Sequence, residues 1–238
     1  LDNVNTYLEG AGNIGGMGGT EKELLPTVYA GGYTNTAVGK NASLTVRNSN
    51  EETMFQAIYM GHGAGADNHV PYQGRALLNL DAGALVREEI DVSGNSEASI
   101  TITGNGNQVA KAKQFYGNEN TTMMLSKVFM ENAVVDGVGN LVLSDGACLA
   151  PETQNLRNVT LQSGACLDFN GVGNAVIAGN LVGEMSPSQE QGILVLNEQG
   201  TLTILGKVTG TTQFQTRHRL FPGMLLAGKS YIFAEAGN

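Results

Sequence analysis

The segment from Asn140 to Leu149 (NLVLSDGACL) returns eighteen residues later, from Asn158 to Leu167 (NVTLQSGACL). The Asn, the second Leu, the Gly and the Ala-Cys-Leu coincide. A unit this short cannot bury an apolar face alone. Val159 and Leu161 face one way and Thr160 the other, and after the bend Ala165, Leu167 and Phe169 share a face. Ser-Gly or Asp-Gly supplies the bend. Such a unit is completed only by copies stacked above and below it, with parallel strands about 4.8 Å apart. The repeat therefore predicts an all-β fold: a parallel β-helix (β-solenoid), single-stranded, with coils of about 18–20 residues or more.

Further segments fit the pattern. Gly192–Leu196 and Gly200–Ile204 restate it, and Gly200, thirty-six residues after Gly164, reads as two periods on; Asn174–Ile177 supplies a strand between them. Asn41–Val46, Arg75–Leu80, Ala84–Val86 and Ser99–Gly104 read as strands. Val28-Tyr-Ala-Gly and Ile58-Tyr-Met-Gly form an echo thirty residues apart. Asn118–Thr122 and Glu184–Gln191 read as polar loops, and Met123–Val135 fits either a short helix or strands. The expectation is one domain over residues 1–238, less regular to about residue 110. A β-sandwich of short strands is the competing architecture.

Composition agrees. Glycine stands at 33 residues, proline at 5 and charged residues at 15%, which suits short strands joined by tight turns. The net charge of −9 repels phosphate backbones, so nucleic acid is not an expected partner. No apolar run approaches the length of a membrane span, so this segment is not expected to insert. Its first residue, Leu1, and its last, Asn238, suggest a piece of a larger protein.

The aliphatic-Tyr-x-Gly echo and the Asn-x-x-Leu-x-x-Gly-Ala-x-Leu units resemble segments of large surface proteins of Gram-positive gut bacteria. So does the stretch from Leu202 to Phe214. Those adhesin-like proteins carry right-handed parallel β-helices similar to the pectate-lyase-like superfamily. The resemblance implies a right-handed coil and a secreted or cell-surface location. The low charge and the polar Asn, Thr and Gly positions between the apolar ones favour a non-catalytic structural or binding role, with a glycan or a host or cell-surface protein as partner.

Candidate sites are few. Cys148 and Cys166 occupy equivalent repeat positions, opposite in face to Leu149 and Leu167. In a stack their Cα atoms fall within disulfide range, so they are either bridged or stacked thiols. The stretch Tyr59, His62, Asp67, His69 and Tyr72 gathers two of the three histidines, an aspartate and two tyrosines around a glycine-rich loop, a binding vocabulary. Its spacing matches no zinc signature, and neither a metal nor another cofactor is expected. The similar β-helix enzymes cleave polysaccharides, which makes a lyase or glycoside hydrolase the alternative reading. Against it, Asp81, Asp91, Asp136, Asp145 and Asp168 read as scattered turn residues, and no Asp-Asp pair occurs. Asn140, Asn158 and Asn174 are candidates for an asparagine ladder.

Overall fold

A computed structural model describes residues 3–9, 27–30, 41–47, 54–60, 72–81, 85–104, 113–153, 155–185, 190–197, 200–216 and 234–236. Among them there is no helix. The strands form three sheets, and every pairing is parallel.

The first sheet runs through Asn3–Glu9, Asn41–Arg47, Tyr72–Leu80, Asn95–Thr103, Thr121–Ser126, Asn140–Ser144, Asn158–Leu161, Leu181–Gly183 and Val208–Gly210. The second runs through Thr27–Ala30, Met54–Met60, Leu85–Asp91, Gln114–Tyr116, Phe129–Asp136, Cys148–Pro151, Cys166–Asp168, Gly192–Leu196 and Thr212–Thr216. The third holds Asn155–Leu156, Asn174–Ile177, Thr201–Ile204 and Ala234–Ala236. The chain visits the first two sheets alternately, so each circuit lays its strands beside those of the one before. Parallel ladders between strands far apart in sequence leave no room for an antiparallel sandwich.

Side-chain alternation explains the stacking. In the first sheet Leu44, Leu78, Ile100, Met123, Leu141, Val159 and Leu181 lie in one continuous inward column, each 2% exposed or less. Each such side chain stabilises the fold by roughly 1.5–3 kcal/mol, and each depends on the circuits on either side for its cover. The last described strands of the first two sheets differ. Val208 and Phe214 are in register with the fully buried Leu181 and Leu194, yet both are 45% exposed.

The repeat marks true register. Asn140 pairs with Asn158, Cys148 with Cys166 and Leu149 with Leu167. Its period is local, however. Successive steps along the first sheet, taken between paired residues, are 38, 34, 22, 23, 18, 18, 22 and 27 residues. Gly200 accordingly is not two eighteen-residue periods beyond Gly164. It lies beside Gly173, twenty-seven residues back, and Thr201 N donates to Gly173 O at 3.0 Å. The strand Thr201–Ile204 stacks on Asn174–Ile177 in the third sheet.

Other expectations are resolved too. Of the two readings open for Met123–Val135 the strands hold: it lies in Thr121–Ser126 and Phe129–Asp136, parted at Lys127 and Val128, with buried residues alternating in each. Thr121 and Thr122 belong to a strand, leaving only Asn118–Asn120 as the turn. Asp91, Asp136 and Asp168 are strand residues, whereas Asp145 is in a turn. The asparagine ladder runs from Asn140 to Asn158, whose amide donates to Asn140 Oδ1 at 3.2 Å, and on to Asn180. Asn174 instead accepts from Thr201 in the third sheet.

Candidate functional site

The outer face of the second sheet carries the most organised polar group among the described residues. In-register pairing sets Tyr29 beside Tyr59, Tyr59 beside Asp91, Asp91 beside Tyr116, and Tyr116 beside Asp136. Five strands thus contribute one residue each to a straight column along the stack. Two positions earlier in the same strands, Ala57, Glu89, Gln114 and Val134 form a parallel column. The small Ala57 next to Glu89 leaves the neighbouring tyrosine room.

The tyrosines are fixed by contacts. The rings of Tyr29 and Tyr59 stack, with centroids 5.3 Å apart and planes 12° from parallel, an arrangement that identical residues on adjacent parallel strands favour. Tyr59 donates its hydroxyl to Glu89 Oε1, and Tyr116 donates to Gln114 Oε1 at 2.7 Å. Ser93 donates both its backbone N–H (2.9 Å) and its hydroxyl (2.6 Å) to Asp91 Oδ1.

Burial pushes the Tyr59 hydroxyl well above its ordinary pKa, and the hydrogen bond to Glu89 and the charges of Glu89 and Asp91 push it further. Burial, then the charges of Glu89, Asp136 and Asp91, raises Tyr116 as well. Both are held as neutral phenols: Tyr59 stacks on Tyr29 and donates to Glu89, and Tyr116 donates to Gln114.

Of the residues singled out in sequence, Tyr59 belongs to this column. Tyr72 opens a strand of the other large sheet, its backbone paired with Asn95. His62, Asp67 and His69 lie outside the described residues. Asn95, 3% exposed, donates its side-chain amide to Met60 O at 2.7 Å and to Val92 O at 2.9 Å. It therefore fastens the end of the Tyr59 strand and pairs with Tyr72, the two residues that flank that segment. Tyr29, Glu89, Asp91, Gln114, Tyr116 and Asp136 were not expected as a group. Only the Tyr29–Tyr59 echo signalled it.

Cys148 and Cys166 stand on the same sheet in a separate outward column with Phe129 and Ile193, all half-buried. Both carry thiols and no disulfide joins them. Among the described residues no three His, Cys, Asp or Glu side chains gather as a metal-binding group, and no helix is long and apolar enough to cross a membrane. No known protein family, curated protein or solved structure matches the chain.

Proposed function

We propose that the chain is a right-handed parallel β-helix serving as a non-catalytic binding and spacing module, secreted or at a cell surface, with a glycan as the ligand of its tyrosine column. The observation that carries this reading is the line of Tyr29, Tyr59, Asp91, Tyr116 and Asp136 across five strands. Rings offer flat apolar faces to sugar C–H groups, and carboxylates accept from hydroxyls. Backbone pairing holds these groups at a regular rise, so a linear saccharide meets a preorganised surface that loses little entropy on binding.

Titration calorimetry with a panel of neutral and acidic polysaccharides tests it. Binding that weakens by about tenfold or more in Tyr59→Ala and Tyr116→Ala, one hot-spot contact each, is the expected result. Binding untouched by both substitutions, or no binding to any polysaccharide of the panel, refutes the role of the column.

One observation favours a second reading, a polysaccharide lyase or glycoside hydrolase: Glu89, Asp91 and Asp136 lie within three neighbouring strands of the same face. Release of new reducing ends or of unsaturated products, lost in Asp91→Asn, would establish that reading in place of the first.

A further inference from the structure

Cys148 and Cys166 are directly paired residues of adjacent parallel strands. In a parallel ladder such residues are related by translation, so their Cα atoms, and equally their Cβ atoms, stand about one strand spacing apart, ~4.8 Å. The Cα distance suits a disulfide, but the Cβ distance does not, because bridged cysteines bring their Cβ atoms to about 3.5–4.5 Å. Closing the bridge would require tilting one strand toward the other. The residues that follow oppose this: Leu149 and Leu167 are fully buried and in register themselves.

Two thiolates held side by side have another use. Two zinc–thiolate bonds of about 2.3 Å placed in line would span about 4.6 Å, and two-coordinate Cu(I)–thiolate bonds are somewhat shorter, so a small inward turn of the side chains from the strand translation of ~4.8 Å lets both sulfurs reach one ion. Zinc prefers four ligands, and among the described residues no third His, Cys, Asp or Glu joins the two thiols. A soft monovalent d10 ion, Cu(I), is selected by thiolates and accepts two of them in line. The column supplies an apolar setting at both ends: Phe129 pairs with Cys148 on one side and Ile193 with Cys166 on the other, each half-buried. From this geometry we infer that Cys148 and Cys166 form a two-thiolate site for Cu(I), independent of the tyrosine column. The chemistry balances without an oxidant. Two S–H bonds lose their protons to solvent, two Cu–S bonds form, and the ion remains Cu(I) in a complex of net charge −1.

The test is competition, under nitrogen, between the fully reduced protein and bathocuproine disulfonate for Cu(I), with thiols counted by Ellman's reagent. One Cu(I) taken per chain, and both thiols lost to the reagent, is the expected result. Cys148→Ser and Cys166→Ser should each weaken binding beyond the ~10–100-fold that loss of an outer hydrogen-bonding partner costs a metal site, with circular dichroism unchanged. Should a serine variant fail to fold, wild type alkylated at both cysteines takes its place. The inference is overturned if the reduced protein leaves Cu(I) with the chelator, or if either single variant binds as wild type does. It is overturned equally if the pair closes to a disulfide in a glutathione redox buffer, since that would refute the spacing argument.

Discussion

Gly139 marks how closely successive circuits approach, and replacing it with alanine should be far more damaging than its size suggests. A Cβ there would meet Glu119 O at 1.9 Å, Glu119 C at 2.6 Å and Glu119 Cα at 3.1 Å, all backbone atoms of the circuit before. Real Cβ contacts essentially never fall below 3.0 Å, so the backbone must retreat by about 1.1 Å. Three hydrogen bonds span that point: Gly139 N donates to Asn118 O at 3.0 Å, and Gly139 O accepts from Asn158 N at 3.1 Å and from Asn158 Nδ2 at 3.2 Å. Losing them costs about 1 kcal/mol each, and the overpacking adds about 1–3 kcal/mol, so Gly139→Ala should destabilise by about 4–6 kcal/mol.

Gly146 is the matched control. Its φ is +74°, but no atom lies within 4 Å of the place an alanine methyl would take, so Gly146→Ala costs only the left-handed strain, about 1 kcal/mol. Urea denaturation followed by far-ultraviolet circular dichroism should separate the two variants. Hydrogen exchange should show the Gly139→Ala loss concentrated in Thr121–Ser126, Asn140–Ser144 and Asn158–Leu161, since a stack opens locally. Equal midpoints, or Gly146→Ala as the weaker protein, would refute the claim that interstrand clearance dictates glycine at 139.

Asn95→Ala removes the donor to the buried end of the Tyr59 strand and leaves Met60 O without it; a loss of about 2–3 kcal/mol is expected by thermal melting. Stability should also fall in alkali. The folded pKa of Tyr59 and Tyr116 is raised above the ordinary 10.0, so the unfolded chain releases those protons first. Their contribution is intact below pH 10.0 and is lost as the pH rises above it. Denaturation on either side of that pH measures the slope, which Tyr59→Phe should reduce; an unchanged slope would refute the assigned environment.

The fold was legible where neighbouring circuits kept both length and residue identity. Asn140 with Asn158, Cys148 with Cys166, and Tyr29 with Tyr59 are pairs visible in the sequence, and each is a register pair in the sheets. Where a corner changed length, identity at a fixed interval misled: Gly200 matched the phase of Gly164 but stacks by Gly173, because stacking conserves position along a strand and not distance along the chain. The site was less legible for a related reason. Asp91, Tyr116 and Asp136 share no common repeat with Tyr59, so no recurring motif could reveal their column; only the ladder unites them. Tyr59 was read with the loop after it, whereas its ordered neighbours come from other circuits.

The unequal circuits carry a consequence for how such a molecule can change. What stays constant from storey to storey is a rise along the axis, while the steps range from 18 to 38 residues. Chain entropy scarcely opposes this, for doubling a loop costs only about 0.6 kcal/mol. A corner can therefore acquire an appendage without disturbing the walls on either side of it. The straight walls act as a frame on which foreign segments could be grafted, storey by storey, at addresses the ladder already defines.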